Sequence, residues 1–144
     1  MSFGWSAGDI ALAIQLLYKV GTALKEAGGA SSAYQEATSF LDSLEATLEH
    51  LRLLSSTTID AAKAVEIRSQ VSQLRRPVTR FLEDVKKYEA SLAAASSRGK
   101  IASAPRRIQF ALEVPGKLKK LQDEITVPML TLSMFISFNL LHVS

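Results

Sequence analysis

The chain opens on large apolar side chains. Phe3 and Trp5 come first, Gly8-Asp9 follows, and an apolar run from Ile10 to Tyr18 is broken only by Gln15. Chain termini are usually polar and frayed, so this start demands a place in a core, on a partner or in a membrane. The pattern predicts a helix from about Ser6 to Ala27, stopped by Gly28-Gly29. Ile10, Leu12, Ile14, Leu16, Leu17 and Tyr18 surround most of its circumference. A helix apolar on all sides wants neighbours on all sides. That points to a central helix, or to one that changes environment when the protein is switched on.

Three further segments carry one-sided stripes. Ser31 or Ser32 can cap a second helix, with Gln35 or Glu36 at the capping-box position. It runs to about Leu54 with Tyr34, Ala37, Leu41, Leu44, Leu48 and Leu51 at heptad spacing, and Ser55-Ser56-Thr57-Thr58 makes a short polar connection. The third segment spans about Ile59 to Ala94, with the stripe Ile67, Val71, Leu74, Val78, Phe81, Val85, Tyr88, Leu92. Spacings of four and three alternate there without a slip, which is a helix-packing seam. Pro77 lies inside it and removes a backbone hydrogen bond, so a kink is expected near Arg75-Arg76. The unbroken phase favours one kinked helix over two.

Ser96-Ser97-Arg98-Gly99-Lys100 reads as a loop. A short helix from about Ser103 to Leu112 follows, which Val114-Pro115-Gly116 ends or bends. The last helix shows Leu118, Leu121, Ile125, Leu132 and Phe135, with a second kink expected at Pro128. Each amphipathic helix must bury one face. The solution predicted is all-α: an antiparallel four- to five-helix bundle with long, Pro-kinked third and last helices, forming one domain over residues 1–144.

Composition narrows the functional classes. The 144 residues suffice for a core, 47% are hydrophobic and 22% charged, and there is no cysteine. That excludes a disulfide scaffold and a Cys-based zinc site, and it suits the cytoplasm. The net charge of +3 would help contact with an acidic membrane or partner and is too weak to argue for nucleic acid. No basic residue precedes the N-terminal apolar run, so it does not read as a signal peptide. Ile125 to Ser144 has no Asp, Glu, Lys or Arg and is long enough to span a bilayer. Its Thr126, Pro128, Thr131, Ser133, Ser137, Asn139 and His142 favour a buried bundle helix. The alternatives are a membrane span and a helix docked on sequence beyond Ser144.

The chain carries little recognisable catalytic chemistry. His50 and His142 have no second ligand at metal spacing, and no phosphate-binding glycine motif or nucleophile elbow is present. Asp42, Glu45 and Glu49 share a helix at spacings normal for a solvated face. The expectation is no enzyme, no cofactor and no metal. Basic residues cluster at Arg75-Arg76, Lys86-Lys87, Arg98 with Lys100, Arg106-Arg107 and Lys117 with Lys119-Lys120. They serve solubility, or with Lys19 and Lys25 they form a face for anionic lipid headgroups. Phe3 and Trp5 have two readings as well: a staple tucked under the bundle, or part of a start that enters a membrane interface or docks on another domain. The candidate contact residues are Phe3, Trp5, Ile10, Leu12, Ile14, Leu16, Leu17 and Tyr18.

Met1-Ser2-Phe3-Gly4-Trp5-Ser6 with Gly8-Asp9, then Ser32 to Glu36 ahead of Leu41, Leu44 and Leu48, then Arg107-Ile108-Gln109-Phe110-Ala111-Leu112 and Lys117 to Gln122, resemble a helical N-terminal domain of fungal STAND-type, NLR-like proteins. The resemblance implies a bundle akin to HeLo and HeLo-like domains. It also implies a non-enzymatic effector of programmed cell death, heterokaryon incompatibility or innate immunity. Some members expose a hydrophobic N-terminal helix and attack the plasma membrane after oligomerisation, and others sit ahead of ubiquitin-like or repeat domains with no assigned activity. The implied partners are other domains of a parent protein, a homotypic helical domain in a homo-oligomer, and anionic membrane lipids. The other reading is an adaptor or oligomerisation module with no membrane activity. No nucleotide-binding, repeat or amyloid-motif segment occurs within the 144 residues, so the expectation is an excised N-terminal domain or a stand-alone effector.

Overall fold

The computed structural model describes residues 5–28, 32–55, 59–86, 88 and 104–143, and every regular element among them is a helix. There are four: α1 (Ala7–Gly28), α2 (Ser32–Leu54), α3 (Ala61–Lys86) and α4 (Ala104–Val143). The predicted loop at 96–100 and Leu92 of the third stripe lie outside the described residues.

The helix starts follow from local chemistry. Ser6 caps α1: its Oγ accepts the Asp9 N–H at 3.0 Å and its carbonyl accepts the Ile10 N–H at 3.0 Å. Asp60 does the same for α3, its carboxylate accepting the Ala62 N–H at 3.2 Å and its carbonyl the Ala64 N–H at 2.9 Å. The third helix therefore starts two residues after Ile59. The predicted short helix before Pro115 is instead the beginning of α4, which continues through Pro115 and Gly116. Val114, Leu118 and Leu121 are buried at helical spacing on either side of that pair, so packing holds the helix where local propensity favours a break.

One contiguous core joins all four helices. α1 packs along α2, α2 along α4 and α4 along α3, while α1 meets α3 and α4 more sparsely. Side-chain pairings give the directions. The Tyr88 hydroxyl donates to the Glu113 carboxylate, Lys117 Nζ lies 3.7 Å from Asp84, and Lys63 Nζ sits 4.7 Å from the Phe138 ring centroid. Positions fall along α3 as they rise along α4, so the two run in opposite senses. Along α2 and α4 a groove lined by residues from Gln35 to Ser43 on one helix and from Lys119 to Leu130 on the other joins the earlier parts of both, so the two run in the same sense. Thr47 and Ser133 extend that pairing with hydroxyls 3.3 Å apart.

The predicted stripes reach the core with few exceptions. On α2, Ala37, Leu41, Leu44, Leu48 and Leu51 are buried and Tyr34 half-buried. On α3, Ile67, Val71, Leu74, Val78, Phe81 and Val85 are buried, and Tyr88 beyond its end is buried too. On α4, Leu118, Leu121, Ile125 and Leu132 are buried and Phe135 half-buried. Gly21 faces α2, where an added Cβ would meet Leu41 Cδ1 at an ordinary contact distance of 3.7 Å.

Candidate interaction surface

α1 turns a conventional stripe inward. Ile10, Ala13, Leu17, Val20 and Leu24 are buried, and Trp5 just ahead of the helix is only 7% exposed. The Ser6 cap sets the entry angle that lets Trp5 fold back against the bundle. The rest of the apolar circumference is not enclosed. Leu12 is 64% exposed and Tyr18 67%, and Ile14 and Leu16 are half-buried. Among the described residues, Ala7–Glu26 is the stretch with the length and apolar composition of a membrane span, properties that a core helix shares.

Because α1 meets α3 only sparsely, a groove of about 460 Å³ opens between them. Trp5, Asp9, Leu12, Ala13 and Leu16 supply one wall; Arg75, Thr79, Leu82, Glu83 and Lys86 supply the other. Both sets recur every three to four residues, so each wall is a single helix face. The floor is apolar, through Trp5, Ala13 and Leu82, and the rim is charged. Asp9 and Glu83 offset Arg75 and Lys86 along the groove itself. The surplus of positive charge comes from Arg76 and Arg80, which line an adjoining shallow depression with Arg75, Thr79 and Glu83.

The structure thus brings together Trp5, Leu12, Leu16, Arg75 and Lys86, which are separate apolar and basic candidates in the sequence. Arg76 adjoins them. Ile10 and Leu17 point into the core, and Tyr18, Lys19 and Lys25 are exposed on α1 without lining the groove. Phe3 and Lys87 lie outside the described residues. Arg106 and Arg107 fall in the first turn of α4, with their side chains outside the described set. Sequence reasoning missed Arg80, Thr79 and Leu82. Their spacing from Arg75 and Lys86 is visible in the chain, but which helix faces them is not.

Ionisation elsewhere is local. Burial raises the Glu45 carboxyl above its ordinary value, Asp42 adds to the rise, and Lys25 opposes it. Glu49 is lowered by its hydrogen bond with Arg52 on the surface of α2. Thr47 is the buried polar residue of the described core; its hydroxyl donates to the Ser43 carbonyl at 2.9 Å. Among the described residues no three His, Cys, Asp or Glu side chains gather as a metal site.

No family model, curated protein or solved structure matches this chain.

Proposed function

We propose that this chain is a non-enzymatic signalling or effector domain that engages an anionic membrane surface through the α1–α3 groove. In this reading it is cytoplasmic at rest and recruited to the plasma membrane on activation. The observation that carries the proposal is the convergence on one groove of Trp5, Leu12 and Leu16 with Arg75 and Lys86, more than fifty positions away in sequence. The resemblance to fungal STAND-type N-terminal domains supports the same reading. The finer architecture belongs with it: an antiparallel bundle whose third and last helices bend at Pro77 and Pro128, both of which stand inside helices.

Energetics favour a shallow first step. Uncovering a buried large apolar side chain costs about 1.5–3 kcal/mol, which applies to Ile10, Leu17 and Trp5. Leu12 already stands in solvent, so its transfer to an interface is favourable without unfolding anything. A basic residue close to an anionic surface adds about 1 kcal/mol. Arg75, Arg76, Arg80 and Lys86 can supply that attraction while Leu12 and Leu16 enter the headgroup region. Full release of α1 would need compensation from a deeper membrane site or an oligomer.

The test is sedimentation and dye leakage with phosphatidylserine-containing vesicles. Wild type is expected to bind and permeabilise them, and Leu12→Lys and Leu16→Glu to lose both activities while keeping their helix content. No binding by the intact chain, or full activity in both variants, would refute the proposal.

A further inference from the structure

The α1–α3 groove and the depression beside it form one continuous recess, because Arg75, Thr79 and Glu83 line both. Its two parts differ in chemistry. The groove is floored by Trp5, Leu12, Ala13, Leu16 and Leu82. The depression gathers Arg75, Arg76 and Arg80, all exposed on α3. Across the whole recess Arg75, Arg76, Arg80 and Lys86 face Asp9 and Glu83, four positive charges against two negative. An apolar slot that opens into a cationic bowl complements a hydrocarbon chain carrying an anionic head.

We propose that this recess binds one molecule of a single-chain anionic amphiphile, with the chain along Leu12, Leu16 and Leu82 and the head at Arg76 and Arg80. The proposal rests on the groove of the membrane reading and deepens it, naming the ligand and requiring no bilayer. Dimensions select the chain. The walls run from Trp5 to Leu16 and from Arg75 to Lys86, each roughly 16 Å at about 1.5 Å of rise per residue. A groove of about 460 Å³ over that length has a section of roughly 29 Å². A helix of about 10 Å diameter needs roughly 80 Å², so a partner helix does not enter. An extended peptide would bring backbone N–H and C=O groups onto an apolar floor without partners. An alkyl chain has neither problem. At roughly 1.2 Å of extension per bond, the groove takes about twelve carbons.

Charge selects the head. Arg76 and Arg80 are four residues apart on α3, so their side chains are neighbours on one helix face. Guanidinium groups present paired N–H donors that match the oxygens of a phosphate or carboxylate. Two such forks over one depression suit a single oxyanion, and the Thr79 hydroxyl between them is a further donor. A cationic head on the same chain would meet the arginines as like charges. The surplus of positive charge therefore discriminates between heads, while the groove floor discriminates for a chain.

Dodecyl phosphate, titrated into the full chain below its micellar concentration and without vesicles, tests the proposal. Trp5 is the single tryptophan and lines the groove, so its fluorescence reports occupancy, and calorimetry gives the stoichiometry. The expected result is a saturable change with one site per chain. Dodecyltrimethylammonium should bind at least about tenfold more weakly, and inorganic phosphate should leave Trp5 unchanged. Arg76→Ala with Arg80→Ala should weaken dodecyl phosphate at least about tenfold, the loss of one charge-assisted hydrogen bond or more. Leu16→Glu should abolish binding. Arg76 and Arg80 are exposed and Leu16 half-buried, so circular dichroism should show an intact helical fold in both variants. No saturable change in wild type overturns the proposal. So does equal affinity for the two heads, a full response to phosphate alone, or binding unchanged in both variants. Vesicle sedimentation run in parallel separates the two readings. Vesicle binding without dodecyl phosphate binding overturns the amphiphile site and leaves the membrane reading standing, and the reverse result does the opposite.

Discussion

Leu12 and Leu17 lie on the same helix, five residues apart, and the structure gives them opposite surroundings. Leu17 has no exposed surface, whereas Leu12 is 64% exposed. Truncation of a fully buried leucine to alanine costs about 2–5 kcal/mol, because a cavity remains after the transfer free energy is lost. For Leu12 only about a third of the side chain is in contact, so about a third of a 1.5–3 kcal/mol burial is at stake, or roughly 0.5–1 kcal/mol. Against a domain stability of about 5–15 kcal/mol, the first change is large and the second small. Urea unfolding followed by far-ultraviolet circular dichroism separates them. Leu17→Ala is expected to lower the midpoint strongly, and Leu12→Ala to lower it by a third as much or less, with similar slopes. Equal losses, or a larger loss for Leu12→Ala, would show that α1 is turned the other way, and the groove would then be misassigned.

Other expectations follow from the helix interiors and the few polar contacts within the bundle. Gly116 lies inside α4, and no atom lies within 4 Å of where an alanine Cβ would stand, so Gly116→Ala should stabilise by about 0.5–1 kcal/mol in the same urea assay. Thr47→Val and Ser133→Ala should each cost about 0.5–1.5 kcal/mol, and the double variant should cost less than their sum because the two hydroxyls, 3.3 Å apart, share one hydrogen bond. Glu45 has a folded-state pKa above its ordinary 4.5, so its ionised form is disfavoured by folding. That cost appears as the pH rises from 4.5 through the folded value and is complete at neutral pH. Glu45→Gln should accordingly be more stable than wild type at neutral pH, with the advantage gone below pH 4.5 in thermal melts.

The helical class and most of the core are legible in the sequence because period and caps are local properties. Ile67 through Val85 need only their spacing to declare a buried face. Ser6 and Ser32 mark two helix starts, and Asp60 caps a third that apolar spacing alone begins at Ile59. What fails is anything that depends on a second element. Leu12, Leu16 and Leu17 are equivalent in sequence, and only the packing of α1 on α2 decides that Leu17 is enclosed. The groove requires the register of α1 against α3, which no pattern within either helix specifies. Pro115-Gly116 looks like a stop until Val114 and Leu118 are seen anchored on both sides of it. Val127, Leu130, Met134 and Phe138 are visible as apolar residues, but an uncharged segment suggests one buried helix when it holds two separate stripes, these four exposed and Ile125, Met129, Leu132 and Ile136 buried.

Trp5 is the single tryptophan of the chain and forms part of the groove, which makes it a native probe of the proposed contact. Its fluorescence, measured with phosphatidylserine-containing vesicles whose acyl chains carry bromine, reports directly whether this end of α1 enters the bilayer interface. Strong quenching is expected, lost in Leu16→Glu and weakened as salt screens the arginines. Vesicle binding with no quenching of Trp5 would contradict the proposed contact, because the membrane would then be meeting some other face of the bundle.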